Sequence, residues 1–170
     1  MKIPFSLPYI DKSVVDEVND SLINTGWLTS GPKVREFEIE LQNIINSNNI
    51  LCVNSWTSGA QLVLRWLGIG PGDEVIIPAY TYCATALCIM NLGAKPVMVD
   101  IKNDFTIDSN LILKKINNKT KAIIPVDLGG LPCDYESINK ILSSEKVKKS
   151  YRPNSSIQKK LGRPLIIGDA

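Results

Sequence analysis

The 170-residue chain contains no histidine, which excludes imidazole-based triads and histidine metal ligands within it. Cysteine is sparse: Cys52, Cys83, Cys88 and Cys133 form no C-x-x-C pair, so zinc and thioredoxin-like redox motifs find no support. Their apolar sequence surroundings predict packed, reduced thiols. No apolar run approaches the roughly 18–20 residues of a membrane span, and the opening MKIPFSLPYIDK carries two prolines and an early Asp11, unlike a signal peptide. A net charge of +2 leaves neither a strongly basic nucleic-acid binder nor an acidic tail. The sequence therefore predicts a soluble cytoplasmic protein with no metal, nucleic-acid or membrane partner.

With 44% hydrophobic and 21% charged residues, the chain can bury one sizeable core. Residues 11–24 place Val14, Val15, Val18 and Leu22 on one helical face, with Asp11 or Ser13 as cap. Gly26-Trp27-Leu28-Thr29-Ser30-Gly31 breaks the pattern, and Pro32 opens a second amphipathic helix bearing Val34, Phe37, Leu41, Ile44 and Ile45. From residue 50 the pattern changes. Short apolar runs at 50–53, 74–77, 96–99, 121–126 and 164–167 alternate with helical stretches near 58–67, 82–91, 109–116 and 134–142. Nearly continuous apolar strands separated by helices predict an α/β fold, three layers around a mostly parallel sheet. The Gly68-x-Gly70-Pro71-Gly72 run follows a helix and precedes a strand. That order is the reverse of a dinucleotide fingerprint, so it reads as a helix stop and turn.

Residues 145–163 carry seven Lys/Arg against one acid, leaving 12 basic and 16 acidic residues elsewhere. Such a segment is either a solvated surface excursion or a patch attracting a phosphate-bearing substrate.

Ligands of open α/β sheets gather beyond the carboxyl ends of the strands, which singles out Asn54–Gly59, Pro78–Tyr82, Asp100, Asp127–Gly130 and Gly168–Ala170. Thr57 and Ser58 begin a helix, where free amides and hydroxyls either hold a phosphate or merely cap. Tyr82, at another helix start, either covers a planar ligand or packs in the core. Asp169 follows an apolar strand and either pairs with a cationic ring nitrogen or serves a turn.

Together and in this order, GWLTSGP, VNSWTSGAQLVLRWLGIGPGDEVIIPAYTYCAT, GAKPVMVD, TKAIIPVDLGGLPCDYESI and IIGDA resemble the DegT/DnrJ/StrS-type sugar aminotransferases. These are pyridoxal-phosphate-dependent enzymes of fold type I. The resemblance implies that the Trp56–Thr57 turn holds the cofactor phosphate, that Tyr82 stacks on its ring and that Asp169 faces the ring nitrogen. Trp56 stands where relatives more often have a small residue, and Asp127 where many have histidine. Trp27 and Thr29 would line the substrate entrance. The implied division is an N-terminal helix and entrance segment, 1–31, followed by an incomplete cofactor-binding domain, 32–170, with a basic insertion at about 143–163. The family's Schiff-base lysine would lie beyond Ala170, so no catalytic residue is assigned in these 170 residues, and the chain alone is expected to be inactive. The implied reaction moves an amino group from an amino acid, glutamate being expected, to a nucleotide-linked keto-sugar in amino-sugar and surface-polysaccharide synthesis, within a homodimer. A sugar dehydratase of the same fold and a non-catalytic remnant are the alternatives.

Overall fold

The computed structural model describes residues 7–170, so the first half of the MKIPFSLPYIDK opening lies outside the described residues. The chain divides into two compact units, one ending at Cys52 and the other spanning Val53–Ala170.

In the first unit, α1 (Lys12–Asp20) is capped by Asp11, whose carboxylate accepts the Val14 amide at 3.1 Å. The helix runs on as a π-helical turn, Ser21–Thr25, and stops at Gly26 in the left-handed region. Helix α2 (Pro32–Ile45) begins on its proline, where the missing N–H costs nothing. Lys33 joins the two helices, pairing with Glu17 and with Asp20 at 2.8 Å. The apolar faces expected of these helices exist, but neither helix contains a buried residue: Val14, Val18, Leu22 and Phe37 are all exposed. The strand expected at 50–53 does not form. Leu51 is exposed, the segment has no ladder partner among the described residues, and the Cys52 amide instead donates to the Glu38 carboxylate at 2.7 Å. The sequence reading set its domain boundary at 31/32; the compact units part at Cys52/Val53, with α2 grouped with α1.

The second unit is an α/β layer structure. Its elements are α3 (Trp56–Leu67), β1 (Glu74–Pro78), α4 (Cys83–Met90), β2 (Lys95–Val99), α5 (Ser109–Lys115), β3 (Thr120–Ile123), α6 (Tyr135–Leu142), α7 (Glu145–Ser150), α8 (Ser156–Leu161) and β4 (Leu165–Ile166). The strands are all parallel, in the order β2-β1-β3-β4.

Alternation along the strands builds two cores. Val75, Ile77, Ala122 and Ile124 pack with Leu64, Leu67 and Ile89 on the α3/α4 face. Ile76 and Ile123 pack with Ile112, Ile138 and Leu142 on the α5/α6 face. A strand buried on both sides has no polar face, which explains the unbroken apolar runs.

The basic insertion is more than a surface loop. Val147 of α7 joins the α5/α6 core, whereas Ile157 of α8 packs against the α3/α4 core. The chain thus passes from one layer to the other around the amino edge of the sheet. Lys121, near the start of β3, fixes the crossing: its ammonium, almost fully buried, donates to the Asn118 carbonyl at 3.1 Å and to that of Arg152, and lies 3.8 Å from the Asp73 carboxylate. Burial pulls the Lys121 pKa down, and the Asp73 charge opposes that pull. Asp73 in turn accepts from the Gly70 amide and, at 2.6 Å, from Asn154. Gly68 ends α3 at φ +78°, beside Ser155, whose hydroxyl donates to the Leu67 carbonyl at 2.8 Å.

Candidate functional site

At the opposite, carboxyl edge of the sheet, five elements meet. The indole Nε1–H of Trp56, the first residue of α3, donates to the Gly168 carbonyl just past β4 at 3.3 Å. The chain after β3 and the chain after β4 are stitched together by the Asp127 amide donating to the Asp169 carbonyl at 2.7 Å and the Asp169 amide to the Pro125 carbonyl at 3.0 Å. From the first turn of α4, Thr85 donates to Asp169 Oδ2 at 3.3 Å. Thr81 lies 2.9 Å from the Thr85 hydroxyl. From the start of α6, Tyr135 donates its phenol to Asp127 Oδ1 at 3.0 Å, and the Cys133 amide reaches the same oxygen at 2.8 Å.

The electrostatics follow from this crowding. Burial pushes the Asp169 carboxyl pKa up, the Thr85 hydrogen bond pulls it down, and the nearby Asp127 carboxylate pushes it up again. Burial and the Asp127 bond raise the Tyr135 phenol well above its usual value. Burial and Asp127 push the Cys133 thiol up to about 11, so it stays protonated; its Sγ donates to the Val126 carbonyl. Cys88 is buried as well and its thiol is raised, whereas Cys83 is exposed, against the expectation that all four thiols are packed.

At the start of α3, the Ser55 hydroxyl accepts the Ser58 amide at 3.2 Å and the Ser55 carbonyl closes the first turn with Gly59. The amides of Trp56 and Thr57 lack partners within the helix, as the first amides of any helix do. Capping and anion binding are therefore compatible here. Tyr82 is 79% exposed at the start of α4, which removes core packing as its role.

The second unit thus brings Trp56, Thr57, Tyr82, Asp127 and Asp169 to one sheet edge. Asp127 spends one oxygen on the α6 start. Asp100 caps locally, accepting the Ile101 amide at 2.8 Å. Trp27 and Thr29 belong to the first unit, where they line a groove of about 990 Å³ with Val14, Leu28, Pro32 and Phe37. Gly31 is required there, since a Cβ would fall 2.6 Å from that of Trp27. The basic 145–163 segment sits at the other end of the strands from this edge. Sequence reasoning missed Thr85 and Tyr135; the available signal for the first was the i, i+4 threonine pair in TYCAT, which puts both hydroxyls on one side of a first turn.

A partly buried carboxylate beside a second carboxylate calls for a cation, and two helix-start amides that find no partner among the described residues suit a phosphate. An exposed phenol ring stands at the same edge. These groups fit a phosphorylated, protonated heteroaromatic ring at the carboxyl edge of a parallel sheet, as in fold type I pyridoxal-phosphate enzymes.

Residues 8–148 match the DegT/DnrJ/EryC1/StrS aminotransferase family, and the chain belongs to that family, whose members use pyridoxal phosphate. It is 42% identical over 137 residues to the spore coat polysaccharide biosynthesis protein SpsC of Bacillus subtilis (strain 168), covering 80% of this chain and 35% of SpsC. Spr1654 of Streptococcus pneumoniae, named as a sugar aminotransferase, superimposes in its PLP-form with a TM-score of 0.92 at 43% identity, covering 100% of this chain and 43% of that one. Its PMP-form gives the same TM-score over 99% and 42%. DesV of S. venezuelae gives a TM-score of 0.71 at 37% identity over 76% of this chain and 35% of DesV. The chain therefore spans about two fifths of the length of the relatives it matches.

Proposed function

We propose that the protein is a pyridoxal-phosphate-dependent aminotransferase that moves an amino group from an amino acid, glutamate being the expected donor, to a nucleotide-linked keto-sugar destined for a surface polysaccharide. The observation that carries the reading is the meeting of Asp169, Thr85 and the Trp56–Thr57 helix start at the carboxyl edge of a parallel sheet. Similarity to SpsC and Spr1654 supports the sugar and the polysaccharide setting.

In this reading the bound cofactor supplies an electron sink for proton removal beside the amino nitrogen. The chain's own residues do the holding. The Trp56 and Thr57 amides, at the positive end of α3, bind the phosphate. Tyr82 covers one face of the ring and excludes water from it. The Asp169 carboxylate keeps a proton on the ring nitrogen, and the ring cation removes the penalty that burial and Asp127 impose on Asp169. Asp127 serves the substrate side. The working protein is a cytoplasmic homodimer.

The test is the half-reaction of the purified full-length protein. Incubation with pyridoxal phosphate and glutamate should release 2-oxoglutarate and convert the cofactor to its pyridoxamine form. Addition of a nucleotide-linked keto-sugar should reverse that change and yield the amino-sugar. Release of water from the sugar without transfer of nitrogen would replace this reading with the dehydratase one.

A further inference from the structure

We infer that Thr85 is a positioning residue for Asp169: oriented by Thr81, its hydroxyl donates to the carboxylate and so holds it ionised and aimed at the cofactor's ring nitrogen. The inference rests on the functional reading above and deepens it.

Thr85 is fully buried, on the first turn of α4, with its hydroxyl 3.3 Å from Asp169 Oδ2. A threonine hydroxyl has a single proton. Given to Asp169, that proton leaves the Thr85 oxygen as an acceptor, so the contact at 2.9 Å requires Thr81 to donate. The result is a directed chain, Thr81 to Thr85 to Asp169, that ends on the one group able to profit from it. A protonated carboxyl would accept far more weakly than a carboxylate.

Asp169 needs this help. It is half-buried, Asp127 is the like charge facing it from the chain after β3, and the neutral thiol of Cys88 and the phenol of Tyr135 are the other titratable groups nearby among the described residues. Among the described residues, no cationic side chain contributes to its ionisation. Thr85 is the group that favours the charged form, and it works against burial and Asp127 together. Because α4 also carries Tyr82 at its start, one helix sets both the ring-covering phenol and the orientation of the ring-facing acid.

Two variants separate this role from simple packing. Thr85→Val keeps the shape and loses the hydroxyl; Thr85→Ser keeps the hydroxyl. In the full-length protein without cofactor, the Asp169 carboxyl midpoint, followed by carbon NMR of labelled aspartate, should rise in Thr85→Val and return in Thr85→Ser. Affinity for pyridoxal phosphate should fall about 10-fold in Thr85→Val, the order expected for a lost charge-assisted hydrogen bond. In an Asp169→Asn background, Thr85→Val should change neither binding nor stability as much, since the partner charge is gone.

A folded Thr85→Val protein with an unmoved Asp169 midpoint overturns the inference. So does an equal loss of affinity in the Asp169→Asn background, which would mark Thr85 as packing alone. If Thr85→Val does not fold, Thr85→Ala and Thr81→Val supply the same titration. The titration needs no cofactor, so it can succeed even if the aminotransferase reading fails.

Discussion

The indole of Trp56 donates to the carbonyl of Gly168 at 3.3 Å, tying the first residue of α3 to the chain leaving β4 across 112 positions of sequence. This bond brings the helix start that would hold a phosphate beside the acid that would hold a ring nitrogen.

A Cβ on Gly168 would lie 2.8 Å from the Tyr135 hydroxyl, so the phenol would have to move to admit it. Gly168→Ala should therefore displace Tyr135 from Asp127 and shift the Asp169 backbone. Pyridoxal phosphate affinity is expected to fall ~10-fold or more, in line with misplacement of a first contact residue. Adding Tyr135→Phe frees the space and should restore most of that loss; equilibrium binding of the single and double variants checks it.

Asp169 gives a pH signature opposite to that of an ordinary salt-bridged acid. Burial and Asp127 raise its pKa in the folded chain, so the folded state binds the proton more tightly than the unfolded state. Stability of the cofactor-free protein should then decline as pH rises from the usual carboxyl range through the raised value. Asp169→Asn should flatten that decline and raise the melting midpoint at neutral pH while weakening cofactor binding. Thermal melts from below the ordinary carboxyl range up to neutral pH measure it.

Lys121 should be indispensable to the basic insertion. Lys121→Met strands the buried Asp73 charge and removes the donor to the Asn118 and Arg152 carbonyls. A loss of about 3 kcal/mol is expected, the scale for breaking a buried pair from one side. Lys121→Met with Asp73→Asn should recover part of it, as urea titration of the four proteins will show. Loss of protection from hydrogen exchange should concentrate in α7 and α8.

Gly68→Ala places a methyl 2.8 Å from the Ser155 Cβ at a left-handed backbone position. Strain and clash together should cost roughly 2 kcal/mol by chemical denaturation, more than a left-handed alanine alone. An unchanged midpoint would mean that α8 shifts freely against α3.

The parallel sheet was legible in the sequence because β1 and β3 are buried on both faces, a placement that calls for apolar runs such as Val75-Ile76-Ile77. The helix starts at Asp11 and Pro32 and the stop at Gly68 were legible through local chemistry that acts within four residues. The run 50–53 misled because its apolar residues satisfy a strand pattern, yet strand formation needs a neighbour that composition cannot show. The insertion was legible in part: its lysines are exposed, as a solvated segment requires, but Val147, Tyr151 and Gln158 are buried and serve the core. For the site, Asp169 and Tyr82 were visible as end-of-strand and helix-start residues. Thr85 was hidden, because its contact with Asp169 exists only once the chain leaving β4 arrives 84 positions later.

The most direct test of the shared-site account is the affinity of the full-length protein for pyridoxal phosphate in the Asp169→Ala variant, followed by cofactor absorbance and fluorescence. Loss of a buried charge partner predicts a fall of ~100-fold or more with the fold intact by circular dichroism. Wild-type affinity in a folded Asp169→Ala protein would contradict the account.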